Sequence, residues 1–144
     1  MKKPSIPELP CMCATLRRAS RALTQHYDEA LRPHGLRATQ FTVLQALSLV
    51  GEVAQGELGE ILAMDSTTLT RTLEIMSGHG WIVKEHGEDR RERRLRLSKD
   101  GEAQLQRALP SWNKVQKKLR HQLGAERSDN LMNLINQVMS AVTE

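Results

Sequence analysis

The sequence predicts a mainly α-helical fold with one small β-hairpin. Apolar residues recur at three- and four-residue steps along most of the 144 residues, which is the spacing of one helical face. Two segments, "WIVKEH" and "RRLRLS", alternate instead, and we interpret them as short strands joined by a turn around Gly87. A helix, a short connection, a helix with a polar face and then a basic hairpin, in that order, indicate a winged helix-turn-helix.

The first three helices are bounded by residues that interrupt helical structure. The first helix is expected after the proline-rich leader that ends at Pro10, and Pro33 with Gly35 ends it. The second stops at Gly51, and a third is expected at about residues 55–63. Three apolar residues of this third helix should brace the next helix from behind: Leu58, Ile61 and Leu62.

The fourth helix, from near Asp65 to Gly78, has two different faces. Asp65 or Ser66 can cap its start by accepting a hydrogen bond from a free amide. The inward stripe is apolar, with Leu69, Leu73 and Met76, and the outward face is polar, with Ser66, Thr67, Thr70, Arg71 and Glu74. Short hydroxyl side chains followed by an arginine suit a helix in a DNA major groove, where they reach phosphates or base edges. Such a face is also common on soluble proteins, so it does not establish DNA binding alone.

The hairpin carries five arginines within seven residues, against the single acid Glu92. The formal net charge of the whole chain is only +4, so this excess is local. A solvated strand edge whose charges deter aggregation would have the same composition. Because the hairpin directly follows the polar-faced helix, the two together favour DNA, with the hairpin as a wing that reaches a neighbouring minor groove.

The stretch "TTLTRTLEIMSGHGWIVKEHGEDRRERRLRLSKDG" resembles the MarR family of bacterial winged-helix transcription factors. The shared features are the helix pattern at 67–73, the "HGWI" that leaves this helix, the pair Asp89 and Arg91 separated by one residue, and "LS" ahead of Gly101. The resemblance covers nearly the whole chain from about Cys13 onward.

The resemblance implies roles for individual wing residues. Arg91 is expected to enter the minor groove, and Asp89 to orient neighbouring arginines through charge-assisted hydrogen bonds, with Arg71 as one candidate. Two residues depart from the family pattern: Arg37 stands where a threonine often caps a helix, and Glu92 adds a negative charge at the wing tip. The full set of expected DNA contacts is Gln55, Ser66, Thr67, Thr68, Thr70, Arg71, Asp89, Arg90, Arg91, Arg93 and Arg94. Lys3, in the leader, should contribute nearly nothing.

Two long helices are expected after the hairpin. Ser98 opens the first, in which we expect a bend at Pro110, and Gly124 ends it. We divide the chain into a leader with a dimerisation helix (1–33), a winged helix-turn-helix region (34–101) and C-terminal dimerisation helices (102–144), all forming one structural unit.

The terminal helices predict the oligomeric state. The central region is too small to cover three further apolar stripes by itself, and the resemblance implies a homodimer joined through both ends of the chain. Two-fold symmetry then predicts a pseudo-palindromic operator with half-sites roughly 10 base pairs apart. We expect double-stranded DNA as the partner and repression by occlusion of a promoter.

The region "CMCATLRRASRALTQHY" suggests two hypotheses for the regulatory signal. In the first, Cys13 senses peroxide, because Cys13 and Tyr27 are similar to the sensing cysteine and a supporting tyrosine of the OhrR branch, and Arg17 could favour the thiolate. Arg17 stands where that branch has a second tyrosine, and Cys13 could equally be a small apolar filler. In the second, a small aromatic or anionic effector binds where the dimerisation helices meet the DNA-binding domain, lined by Arg17, Ser20, Arg21 and Tyr27. Surface ion pairs are the ordinary alternative for these arginines.

The sequence argues against catalysis, cofactors and membranes. It has neither an H-E-x-x-H motif nor a P-loop, a G-x-S-x-G or a G-x-G-x-x-G. Cys11 and Cys13 with His26 form only a weak metal-binding pattern, so we expect no metal and no cofactor. A disulfide between the two cysteines is not expected either. No run approaches the length of a membrane span, and the N-terminus lacks a signal peptide, which predicts a cytoplasmic protein. A DNA binder without sequence preference remains a third functional class.

Overall fold

The computed structural model describes residues 6–143, which form six α-helices, one 3-10 turn and a three-stranded antiparallel sheet. The helices are α1 Met12–Leu31, α2 Ala38–Val50, α3 Gln55–Leu62, α4 Ser66–Gly78, α5 Lys99–Leu123 and α6 Ala125–Thr143. The strands are β1 Val53–Ala54, β2 Ile82–His86 and β3 Arg93–Leu97. The predicted mainly α fold with a hairpin after the fourth helix is confirmed. Two compact units divide the chain, one up to Ala108 and the other from Leu109 onward.

The core of the first unit is built from the inward faces of its helices and of β3. Every one of the main contributors is at most 3% exposed: Leu31, Leu36, Phe41, Val43, Leu44, Leu47, Leu58, Leu69, Leu73, Met76 and Leu95. The predicted inward stripe of α4 is therefore confirmed. The prediction for Ile61 is wrong, because its side chain is 49% exposed. Ile61 lies at the margin of the stripe centred on Leu58, and the chain leaves α3 through the left-handed residue Ala63.

The start of α2 is capped by a residue of another helix. Arg37 precedes the helix, but its guanidinium has no acceptor for the free amides. The Ala38 N–H instead donates to Asp28 Oδ1 of α1 at 2.6 Å, and the Arg37 N–H donates to Gln40 Oε1 at 3.0 Å. The carboxylate of Asp28 thus replaces the threonine cap that the resemblance leads one to expect, and it ties α1 to α2.

The sheet contains a strand that periodicity does not reveal. The strand order is β1-β3-β2, with Val53 opposite Leu95 and Ala54 opposite Arg94. The predicted hairpin forms the other pairing, from Ile82 opposite Leu97 outward. A strand of two residues has no measurable alternation, so β1 exists only because the chain between α2 and α3 passes beside β3.

The hairpin and α5 meet at a glycine. The Ser98 N–H donates to the Trp81 carbonyl at 3.0 Å, and Ser98 Oγ accepts from the Gly101 N–H at 3.0 Å, which confirms Ser98 as the residue that opens α5. The backbone of Trp81 lies so close to Gly101 that a Cβ there would overlap the Trp81 carbonyl. Only glycine lets the foot of the hairpin approach the first turn of α5 in this way.

The second unit contains the C-terminal part of α5 and all of α6. The first of these helices continues through Pro110 and ends at Gly124, whose φ is +91°. Arg120 forms a two-point ion pair with Asp129, with Nη1 2.6 Å from Oδ1 and Nη2 3.2 Å from Oδ2. None of the residues of α6 that the structure describes is buried. Its exposed apolar side chains include Leu131, Met132, Leu134, Met139 and Val142. Within residues 6–143, no helix is both long and apolar enough to cross a membrane.

Candidate nucleic-acid interface

The polar helix α4 is capped by Asp65. Its Oδ2 accepts from the Thr68 N–H at 3.0 Å, and its Oδ1 accepts from the Thr68 hydroxyl at 2.6 Å. These hydrogen bonds with Thr68 hold the pKa of the Asp65 carboxyl below its ordinary value. The Thr68 hydroxyl therefore donates its hydrogen bond to the cap and not to solvent.

The outward face of α4 is open to solvent. Ser66, Thr67, Thr70, Arg71 and Glu74 are all exposed and together line a shallow concave surface. Gln55, at the first position of α3, donates from Nε2 to the Thr70 hydroxyl at 3.2 Å. This bond joins the two predicted contact residues and fixes the start of α3 against the middle of α4.

A groove of about 700 Å³ separates α4 from the hairpin. Its walls come from β1, the start of α3, α4, β2, the wing tip and the start of β3: Ala54, Gln55, Gly56, Thr70, Glu74, Lys84, Arg91, Glu92 and Arg93. Four predicted contact residues, Gln55, Thr70, Arg91 and Arg93, thus share one surface. The sequence did not predict Lys84 as part of it. Lys84 lies opposite Leu95 in the sheet, and no motif distinguishes it from an ordinary strand lysine.

The wing tip is shaped by backbone hydrogen bonds. The Gly87 N–H donates to the Glu92 carbonyl and the Glu92 N–H to the Asp89 carbonyl, both at 2.9 Å. The Asp89 carboxylate accepts the Arg91 N–H at 3.1 Å. Across residues 6–143, no guanidinium lies within ion-pair distance of Asp89. The side-chain bonds implied for Asp89, including one to Arg71, are not formed, because the carboxylate turns toward the backbone of its own loop.

The five hairpin arginines fall into two groups. Arg90, Arg91 and Arg93 are exposed, and within the described part of the chain their guanidinium groups have no ion pair. Arg94 is different: Nε lies 3.1 Å from Glu52 Oε1 and Nη1 lies 2.9 Å from Glu92 Oε1.

The hydrogen bonds of Arg94 with Glu92 and Glu52 raise the pKa of its guanidinium. The remaining arginine, Arg96, also has an acidic neighbour, with Nη2 3.4 Å from Glu85 Oε1. Arg94 and Arg96 thus each have a carboxylate beside the guanidinium, although Arg96 is exposed, whereas Arg90, Arg91 and Arg93 have none within the described residues. The DNA contacts predicted for Arg90, Arg91, Arg93 and Arg94 stay predictions.

The residues of the two signal hypotheses lie along α1. Arg17 Nη2 lies 3.3 Å from Cys13 Sγ, and both cysteines are exposed free thiols. Ser20 and Arg21 are exposed, whereas Tyr27 is half-buried, which raises the pKa of its phenol. The effector contacts predicted for these residues stay a prediction. Lys3, the leader residue expected to be inert, lies outside the described residues.

The structure offers few groups for a metal. In the part of the chain that it describes, no cluster of three histidine, cysteine or acidic side chains lies close enough to hold an ion. His26 of α1 is half-buried, while the two cysteines are exposed.

Comparison with known proteins places this geometry in a family. Residues 34–92, which hold α2 through the wing tip, match the model of the MarR family. The chain is similar to the transcriptional regulator MosR from Mycobacterium tuberculosis, in a crystal structure with DNA. The two are 38% identical with a TM-score of 0.78, and the superposition covers 91% of this chain and 98% of MosR. The chain belongs to the MarR family.

Other MarR-like proteins extend the comparison. The HTH-type transcriptional regulator YwoH of Bacillus subtilis is 32% identical over 87 residues, which are 60% of this chain and 64% of YwoH, so the chain spans less than two thirds of that relative. A mutant MarR from Escherichia coli complexed with operator DNA shares the fold, with a TM-score of 0.80 at 22% identity over 88% of this chain and 92% of its own. MarR-family proteins are transcriptional regulators and not enzymes, in agreement with the sequence prediction.

Proposed function

We propose that the protein is a sequence-specific DNA-binding transcriptional regulator that acts as a homodimeric repressor. The observation that carries the proposal is the groove between α4 and the hairpin, which Gln55 and Thr70 border on one side. Arg91 and Arg93, which have no ion pair within residues 6–143, border it on the other. An α4 lying in a major groove would aim Thr67, Thr70 and Arg71 at base edges and phosphates. Arg91 would reach the adjacent minor groove from the wing.

Exposed apolar residues support the homodimer. On α1, Met12, Leu16 and Leu23 are between 37% and 67% exposed. On α6, Leu131, Leu134 and Val142 are between 43% and 73% exposed. Large apolar side chains that are exposed repeatedly along one helix favour a surface that a partner covers. A second copy of the chain is the proposed partner for both helices.

The test is selection of bound duplexes from a random DNA pool by the purified protein. A homodimer should select a pseudo-palindrome with half-sites about one helical turn, roughly 10 base pairs, apart. A footprint over one unsymmetrical half-site would contradict the dimer. Nonspecific DNA that competes as well as the selected duplex at fixed salt would point instead to an architectural binder without sequence preference.

Release by a small aromatic or anionic ligand completes the proposed mechanism. Such a ligand would act by binding more tightly to a dimer whose two recognition helices are wrongly spaced for DNA. Arg17, Ser20, Arg21 and Tyr27 are the residues proposed to bind it. Titration of the selected complex with a panel of aromatic acids tests this step, and a ligand that releases DNA equally well from Arg21→Ala would contradict the assignment.

A thiol switch is the second candidate signal, and one contact favours it. Arg17 Nη2 lies 3.3 Å from Cys13 Sγ, so a cation lies beside an exposed free thiol, the group that a peroxide would oxidise. Peroxide should then release DNA from the wild type but not from Cys13→Ser, and Arg17→Gln should slow the release. Release that is unchanged in Cys13→Ser would exclude this route.

A further inference from the structure

Arg94 is the hairpin arginine with the most contacts. It lies on β3 opposite Ala54 of β1 and Glu85 of β2, in the centre of the three-stranded sheet. Its Nε donates to Glu52 at 3.1 Å and its Nη1 donates to Glu92 at 2.9 Å. Glu52 precedes β1 and is 42 residues away in sequence, whereas Glu92 belongs to the wing tip. One planar guanidinium therefore connects the segment between α2 and β1 to the tip of the wing.

The bridge fixes the part of the wing that bears the unpaired arginines. Glu92 closes the tip through its backbone, which bonds to Gly87 and Asp89. Its carboxylate lies so close to Gly87 that a Cβ on the glycine would come within 2.8 Å of it. Because Arg91 and Arg93 flank Glu92 directly, a bond that holds Glu92 also sets where these two arginines project. Arg91, Glu92 and Arg93 all border the groove beside α4.

We infer that Arg94 is a positioning residue, which holds the wing through Glu52 and Glu92 so that Arg91 can reach DNA, and is not itself a phosphate contact. This inference rests on the proposed DNA-binding function. Arg94 carries one positive charge between two carboxylates, so it adds no net attraction for phosphate at that point. Its planar fork meets two acceptors with two different nitrogens, an arrangement that the single nitrogen of lysine does not reproduce.

Two substitutions distinguish a positioning role of Arg94 from a direct phosphate contact by the direction in which the DNA affinity changes. Glu52→Gln removes a negative charge near the proposed DNA surface, so charge alone would strengthen binding. The amide oxygen of Gln keeps an acceptor but loses the charge that attracts Arg94. The weakened bridge should therefore lower the affinity for the selected duplex by about fivefold to tenfold, a part of the loss expected from removing Arg91 itself. Arg94→Lys keeps the charge of a phosphate contact but breaks the bridge, so it should weaken binding as Glu52→Gln does. The matched control is Glu57→Gln, which removes an exposed carboxylate of α3 that has no ion pair within residues 6–143.

A third variant tests whether the effect passes through Arg91. In an Arg91→Ala background, Glu52→Gln should cause about a twofold loss or less, because the contact that the bridge positions is already gone. Hydrogen exchange of the amides at 87–93 should accelerate in Glu52→Gln, while the Tm stays near that of the wild type.

The outcomes distinguish this inference from the proposed function. Tighter binding by Glu52→Gln, wild-type binding by Arg94→Lys, or equal losses with and without Arg91 would overturn the positioning role while leaving DNA binding intact. A wild-type protein that selects no duplex would overturn both.

Discussion

The tip and the base of the hairpin differ in how their arginines are used. At the tip, Arg90, Arg91 and Arg93 are exposed and have no ion pair in the described part of the chain. At the base, the side chains of Arg94 and Arg96 meet carboxylates at 2.9 to 3.4 Å. Five residues of one type in one short segment thus have two different environments. A run of like charge does not by itself measure the charge available to a partner, because neighbouring acids neutralise part of it.

The largest expected effect is the difference in DNA affinity between removing an arginine at the tip of the hairpin and removing one at its base. Arg91→Ala should cost about 1 to 3 kcal/mol of DNA-binding free energy per wing, because its guanidinium is unpaired and borders the groove. Binding isotherms on the selected duplex measure this loss. Arg96→Ala, its matched control at the base, should change the affinity by less than about twofold. Equal losses at the two positions would mean that general charge, not the wing tip, holds the DNA.

A substitution at Gly101, where the hairpin meets α5, tests whether this close approach contributes to the stability of the fold. Gly101→Ala should lower the free energy of unfolding by about 1 to 3 kcal/mol, because the new methyl group overlaps the Trp81 carbonyl. Urea unfolding followed by circular dichroism measures it. Gly78→Ala is the control, since a Cβ at that helical position meets open space and should be neutral or stabilising. A Gly101→Ala protein as stable as the wild type would contradict the close approach.

The salt dependence of binding gives a smaller and more specific signal. Arg93→Gln should reduce the slope of log affinity against log salt by about 0.9 for each phosphate contact that is lost. Arg96→Gln should reduce the slope less than Arg93→Gln does, because the Arg96 guanidinium lies 3.4 Å from the carboxylate of Glu85. A slope that falls by the same amount in both variants would remove the distinction between tip and base.

The smallest effect concerns a paired arginine outside the hairpin. The Arg120 guanidinium holds the pKa of Asp129 below its ordinary value of 3.8. A lowered pKa in the folded state contributes stability above the unfolded value, and this contribution is lost as pH falls through the folded value. The Tm of Asp129→Asn should therefore lie slightly below that of the wild type at pH 7, and the difference should vanish well below pH 3.8. A difference that is constant across this range would show that the pair contributes no charge-dependent stability.

The sequence alone determined the helices, the hairpin and the family. Helical and strand periods, breakers such as Gly51 and Gly124, and the cap at Asp65 are local signals, so they can be read from neighbouring residues. The polar face of α4 follows from the same local period, because the buried stripe fixes which side chains point outward.

The tertiary structure decided what depends on residues far apart in sequence. Asp28 caps α2, β1 joins β3, and Glu52 meets Arg94 across 42 residues. Each of these contacts forms only when folding brings the two segments together, and no local pattern specifies it. The division of the hairpin arginines into two groups also depends on the fold, since Glu52 reaches Arg94 across 42 residues and Glu85 reaches Arg96 only when β2 pairs with β3.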